Sequence, residues 1–235
     1  MDAEQQDTLR LEAFAVLRAV FHHQPKLIEE YEVERRYQVR EGVHFSHEEL
    51  IAQGAEKFRD MAQVYLVALD TEGNEQEFRL RRTFRPEEGH LLRVARKVKR
   101  TQDYNPAGRE ESQLIIALAD TTQANLVDEF ETLWLRGRWA PLKKRRYYFT
   151  HRFERPHESG HLMSRTCEIH FDVHQGPPAV LEGYQRIEIE FQGDEDERYA
   201  ARARDALQLP AWVGTDVSDD ARYGSKSLIR NGPPR

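Results

Sequence analysis

Apolar and polar residues change their period along this chain, and the changes divide it into helices and strands. Residues 8–21 place Leu9, Ala13, Val16, Leu17, Val20 and Phe21 at helical spacing, which predicts an amphipathic helix ended by Pro25. From about 29 to 40 the period drops to two, the mark of a half-buried strand. Ser46 followed by Glu49 has the form of a capping box and opens a helix over 47–60. Residues 62–69 predict the next strand, Glu72-Gly73-Asn74 a hairpin turn, and 76–85 and 90–100 two further strands. A polar loop at 101–108 leads to a strand over 110–118, and Thr121-Thr122 precedes a helix carrying Leu126, Phe130, Leu133 and Trp134. Strands over 143–154, 162–175 and 182–192 follow, then a helix over 194–208 and a flexible tail at 229–235. This is an α+β pattern of roughly eight strands and four helices, with no repeat and no low-complexity linker, and it reads as one domain.

One parity of these strands is charged, and the sign sorts by strand. Side chains two apart on a strand share a face, so Glu32, Glu34 and Arg36 lie together, as do Glu188 and Glu190. Arg79 with Arg81, Arg93 with Lys97 and Lys99, and Lys144 with Arg146 make three basic faces. Taken singly, each run is what any half-buried antiparallel strand presents to water. Solvated faces tend to mix signs, however, because like charges on adjacent strands repel. A sheet curled so that its charged faces meet would set the cations near the five acids Glu32, Glu34, Asp172, Glu188 and Glu190. Buried charges need compensation, which divalent ions on the acids and a polyanion on the cations would supply. An oxygen-only ligand set favours Mg²⁺ or Mn²⁺ over zinc or copper. The opposite parity, including Tyr31, Val33, Tyr37, Ile187, Ile189 and Phe191, would then face outward under the amphipathic helices.

Composition narrows the function classes. The chain of 235 residues is 39% hydrophobic and carries 35 basic against 41 acidic residues, a net charge of −6. That balance argues against a general nucleic-acid binder. Cys167 is the one cysteine, so no internal disulfide forms. Without a signal segment or an apolar run of about 18 residues, a soluble cytoplasmic protein that does not contact membrane is expected. No nucleophile elbow, phosphate-binding glycine loop or CxxC pair occurs. His170, Asp172 and His174 alternate on one strand face near Cys167, a mixture that can bind zinc. Cys167 has the opposite parity, and three ligands from one flat strand would struggle to surround a tetrahedral ion, so the histidines are expected to line the enclosed space or its rim. Trp134, Trp139 and Trp212 are expected in packing roles, and Asp219, Asp220 and Arg222 either at a local helix terminus or over a mouth of the enclosure.

These residues resemble those of a known family. EVERRYQV at 32–39 looks like the opening signature of the CYTH, or triphosphate tunnel metalloenzyme, superfamily. EFRLR at 77–81 is similar to its Arg-x-Arg strand, Arg96-Lys97 to its lysine strand, and Lys144-Arg145-Arg146-Tyr147 to its Lys-x-Arg-Tyr strand. Asp172-Val173-His174-Gln175-Gly176 resembles its aspartate strand, IEIEF at 187–191 its closing acidic strand, and PAWVGTDVSDDARYGSKSL from Pro210 to Leu228 its C-terminal segment. The resemblance covers residues 29–228 and leaves 1–28 as a helical extension suited to packing or to a homodimer. It implies an antiparallel eight-stranded β-barrel, the triphosphate tunnel, with helices packed outside. It further implies metal-dependent hydrolysis of a triphosphate, foremost inorganic tripolyphosphate to diphosphate and phosphate. The alternatives are an organic triphosphate hydrolase, an adenylate cyclase, or a noncatalytic module binding polyphosphate or nucleotide. By resemblance Glu32, Glu34, Asp172, Glu188 and Glu190 hold Mg²⁺ or Mn²⁺, and Arg36, Arg79, Arg81, Lys97, Lys144 and Arg146 grip the phosphates. Glu34, Glu190 and Lys144 are the expected catalytic residues. Arg36 stands where the family usually has lysine.

Overall fold

The structure, a computed structural model, describes residues 28–69, 75–85, 89–98, 109–117, 142–176 and 179–234. The expected helices over 8–21 and after Thr122, the turn at 72–74 and the loop at 101–108 lie outside the described residues, as do Lys99, Trp134 and Trp139. The described residues fall into two compact units, one containing 28–30, 61–69, 75–85, 89–98 and 109–117, the other 31–60, 142–176 and 179–234.

In the first unit β3 (Glu75–Arg85), β4 (Gly89–Val98) and β5 (Arg109–Ala117) form an antiparallel ladder, with β2 (Lys57–Leu69) beside β3 from Met61 onward. The register sets Lys97 opposite Glu77 on one neighbour and opposite Glu111 on the other, an acid–base–acid row across the sheet. Arg79, Arg81 and Thr83 are buried on one parity of β3. Arg81 Nε donates to Gln63 Oε1 of β2 at 3.1 Å, and both side chains are buried.

The second unit carries six strands in the order β2-β6-β7-β8-β1-β9, contributed by Lys57–Asp60 of β2, β6 (Leu142–Pro156), β7 (Leu162–Gln175), β8 (Gln185–Phe191), residues 31–39 of β1 (Ile28–Val39) and β9 (Val213–Asp216). The fold class is therefore α+β with an antiparallel sheet, as the periodicity predicts. These six strands do not by themselves close into a barrel.

Odd-numbered residues of β1, β6, β7 and β8 build the core of this unit. Val33, Tyr37, Phe149, Ile169, Phe171, Ile187 and Ile189 are all buried there. Trp212 closes on them, edge-on to Phe171 at 5.6 Å and to Phe45 at 6.3 Å, the packing role expected for it. Each such side chain, buried from water, stabilises the fold by roughly 1.5–3 kcal/mol before entropy is counted. Cys167 belongs to this face, and burial pushes its thiol up to about 12. Arg35 of β1 has the same parity. It is held by Glu197 at 2.7 Å and Asp216 at 2.8 Å, tying β1 to a helix and to β9.

The helices α1 (His47–Ala52), α2 (Asp194–Arg202) and α3 (Ser225–Asn231) are short. The capping box at Ser46 and Glu49 forms as the sequence implies. The helix ends at Ala52 rather than at 60, because Gly54 adopts φ +96° and Lys57 already begins β2. The helix expected over 194–208 stops at Arg202 and continues as a 3₁₀ turn over Arg204–Leu207. Strand β9 and helix α3 were not anticipated.

Gly214 of β9 is hemmed in by backbone. A Cβ there would lie 2.8 Å from the Gln38 carbonyl oxygen and 3.0 Å from the Arg40 nitrogen, both backbone atoms that cannot swing away. Gly214→Ala is expected to cost about 1–3 kcal/mol, in line with other overpacked sites, read as a lower urea midpoint. An unchanged midpoint would mean that β9 detaches from β1 at little cost.

Candidate functional site

The even-numbered residues of the same four strands make a charged face in the second unit, and the strand register fixes its rows. The first row is Glu34, Glu190 and Glu168 on β1, β8 and β7. The second is Arg36, Glu188, His170 and Tyr148, and the third is Gln38, Arg186, Asp172 and Arg146. His174 and Lys144 sit opposite one another in the fourth. Acids thus gather at one end of the face and cations toward the other. The face is not a solvated one: Asp172, His174 and Arg186 are 0% exposed, Lys144 1%, His170 2%, Arg146 3% and Glu188 6%.

Asp172 is the hub. Lys144 Nζ donates to its Oδ2 at 2.5 Å, Arg146 grips it through two guanidinium nitrogens at 2.7 and 2.9 Å, and Arg186 Nη2 lies 3.5 Å away. Glu188 accepts from Arg186 Nη2 at 2.5 Å and from Arg146. Burial disfavours the charged form of both acids, but Arg146 and Lys144 around Asp172, and Arg186, Lys144 and Arg146 around Glu188, more than offset it. Both carboxyls are therefore held well below their ordinary range. Burial, aided by Arg146, pushes Lys144 down to about 7 in spite of its acidic partners.

At the acidic end the contacts are looser. Arg36 Nη2 donates to Glu34 Oε1 at 2.5 Å, both side chains being about a fifth exposed. His170 lies between two carboxylates, with Nε2 2.7 Å from Glu168 Oε2 and Nδ1 3.1 Å from Glu190 Oε1. Burial and the nearby Arg146 work against a charged imidazole, but the bonds to Glu168 and Glu190 outweigh them and raise its pKa. Glu168, His170 and Glu190 bring ligand atoms within 4.8 Å of one another. Arg36 and His170 already lie against these three glutamates, and Glu168, His170 and Glu190 offer carboxylate and imidazole donor atoms of the kind a divalent ion takes.

Of the residues expected from the sequence, Glu34, Arg36, Lys144, Arg146, Asp172, Glu188 and Glu190 come together on this one face. Glu32 continues it along β1, its side chain lying outside those described. Arg79, Arg81 and Lys97 belong to the first unit, and the side chain of Lys97 is likewise outside those described. Cys167 points to the core, away from His170 and His174, which argues against the zinc alternative. Sequence reasoning gave no role to Arg186 or Glu168, although Arg186 has the parity of Glu188 and Glu190 and Glu168 that of His170 and Asp172. Asp220 and Arg222 form a local cap: the Asp220 carboxylate accepts from the Arg222 backbone at the start of a 3₁₀ turn. The Tyr223 carbonyl in the same turn accepts from Arg186 Nη1 at 2.9 Å, anchoring that side chain from behind.

The chain matches no family model, and no curated protein matches its sequence. No helix among the described residues is long and apolar enough to cross a membrane.

Proposed function

We propose that the protein is a metal-dependent triphosphatase of the CYTH type, with inorganic tripolyphosphate as its foremost substrate. One observation carries the reading: a row of half-exposed glutamates abuts a buried cluster of guanidinium and ammonium groups on a single sheet face. Phosphoryl transfer asks chiefly for positioning and charge neutralisation, and that pairing of charges suits both. In this reading Arg79, Arg81 and Lys97 are further phosphate-gripping residues.

Glu34 and Glu190, with Glu32, Glu188 or Glu168 beside them, would hold Mg²⁺ or Mn²⁺. Such an ion supplies charge neutralisation at phosphate oxygens and a more acidic attacking water. Arg36 carries a planar guanidinium of the kind suited to bidentate phosphate contacts, Lys144 acts as a point charge, and Arg146, whose nitrogens are engaged by Asp172, Glu188 and His170, adds positive charge from behind. Asp172, already engaged by Lys144 and Arg146, is better suited to holding those cations in place than to ligating metal.

Release of phosphate from tripolyphosphate, ATP and thiamine triphosphate, each with Mg²⁺, Mn²⁺ or EDTA, tests the reading. Turnover is expected chiefly with tripolyphosphate and is abolished by EDTA. Tight tripolyphosphate binding without turnover on any of the three would instead support a binding module.

A further inference from the structure

We propose that Arg59, held on the ring of Tyr148 at the accessible side of the charged face, positions a phosphate group of the substrate beside Glu168 and Glu190. The inference rests on the triphosphate reading and adds a binding residue on β2 that the sequence resemblance does not assign.

Strand parity puts Arg59 there. Phe58 packs against Tyr147, with ring centroids 6.0 Å apart, and against the core of the second unit, so Lys57 and Arg59 on either side of it turn to the charged face. Both reach the ring of Tyr148. The Arg59 guanidinium carbon lies 4.8 Å from its centroid and Lys57 Nζ 4.9 Å. Arg59 Nη1 also donates to the Tyr148 hydroxyl at 3.4 Å. The same ring meets His170 edge-on at 4.7 Å, and His170 is the side chain that touches both Glu168 and Glu190. One aromatic ring therefore joins the guanidinium to the residues whose donor atoms suit a divalent ion.

Arg59 differs from the other arginines of this face in lacking a carboxylate. Arg36 pairs with Glu34, and Arg146 and Arg186 each pair with Asp172 and Glu188. Arg59 makes no ion pair among the described residues, and its one hydrogen bond leaves most of its N–H donors unengaged. Glu168 does not take them. The hydrogen bond from His170 lowers the pKa of that carboxyl, and Lys57 and Arg59 are close enough to add to the effect, yet Glu168 pairs with His170 at 2.7 Å and with Lys57 at 3.9 Å. Arg59 thus keeps its charge and its planar donors for a ligand.

Access and chemistry both favour a phosphate as that ligand. Arg146 and Arg186 are sealed in the sheet, whereas Arg59 is half-buried, and the side chains of Lys57 and Glu168 near it are 47% and 42% exposed. A phosphate group reaches it without opening the fold. The contact with the ring, worth about 0.5–1 kcal/mol at an exposed site, orders the guanidinium before the ligand arrives. Its planar fork then matches two phosphate oxygens. A divalent ion on the neighbouring carboxylates would draw the same phosphate chain from the other side.

Arg59→Gln tests the assignment through two readouts, calorimetric affinity for tripolyphosphate in EDTA and KM for tripolyphosphate with Mn²⁺. Affinity is expected to weaken and KM to rise by at least tenfold, with a smaller change in kcat. The Mn²⁺-induced gain in thermal stability, measured without phosphate, is expected to match that of the wild type, because Arg59 ligates no metal. Arg59→Lys keeps the charge and is expected to recover part of the loss. Wild-type affinity and KM in Arg59→Gln overturn the assignment and leave the triphosphate reading intact. Loss of the Mn²⁺ response in Arg59→Gln also overturns it, since the substitution would then be acting through the glutamates. A wild-type protein that neither binds nor hydrolyses tripolyphosphate removes both.

Discussion

Glu34→Gln and Glu190→Gln, made separately, are expected to lower metal-dependent phosphate release from tripolyphosphate by about 100-fold or more each, the scale seen when one preorganised electrostatic partner of a transition state is removed. The two residues face each other across β1 and β8, and their side chains keep about a fifth to a quarter of their surface exposed. Each amide retains the size of the carboxylate and loses its charge, so the sheet should fold normally. The control is Mn²⁺ itself: the wild-type protein should gain thermal stability on adding the ion, by mass action on the folded state, and each variant should gain less. Loss of turnover together with the Mn²⁺ response assigns the pair to the metal. Turnover retained in both variants would overturn that assignment, because no other glutamate row is expected to replace them.

Contrast with Glu188 clarifies why those two are the informative substitutions. Glu188 shares the alternation that singles out Glu190, yet it is buried and accepts from both Arg146 and Arg186. Its removal would disturb the cation cluster as well as any metal, and a lost activity would not say which. Sequence places the two acids on one face but cannot tell a ligand from a counter-ion, since that depends on which strand lies alongside.

The same limit runs through the fold. Period-two alternation in β1, β6, β7 and β8 made the charged and apolar faces legible, and the core residues Val33, Tyr37, Ile187 and Ile189 follow from it. Register is not written in alternation. That Glu34, Glu190 and Glu168 stand abreast is a property of three strands pairing, and Glu168 alone looks like one more exposed acid on β7. Arg186 begins the run that contains Glu188 and Glu190 and has their parity, but alternation alone gives it no role, since Asp172 and the Tyr223 carbonyl that hold it come from other elements. Strand β9 escaped because four residues containing a glycine are too short for a periodic signal, and it exists through pairing with β1 and the Arg35–Asp216 contact. The overlong helix at 47–60 had a visible stop, since Gly54 at positive φ ends it and the alternation of β2 begins three residues later.

Asp172→Ala is expected to be the most destabilising single change in the second unit. It would leave Lys144, Arg146 and Arg186 crowded at 0–3% exposure with Glu188 as their remaining buried counter-charge among the described residues. Removing one partner of a buried ion pair costs about 3–5 kcal/mol, because the remaining charge stays in a medium that solvates it poorly. Asp172→Asn should cost somewhat less, keeping an oxygen for Arg146 while losing the charge. The sign of the pH dependence gives a second readout on metal-free protein. Asp172 and Glu188 have folded pKa values depressed below their unfolded ones, so their contribution is fully present above the ordinary carboxylate range of about 4. It is lost as pH falls below that range toward the folded values, where the native state must take up protons that the unfolded chain already holds. Urea midpoints of the wild type should accordingly fall steeply below about pH 4, and those of Asp172→Asn should fall less, having lost one of the two groups responsible. Equal steepness in the two proteins would mean that acid unfolding is governed elsewhere and that the Asp172 cluster does not hold this sheet together.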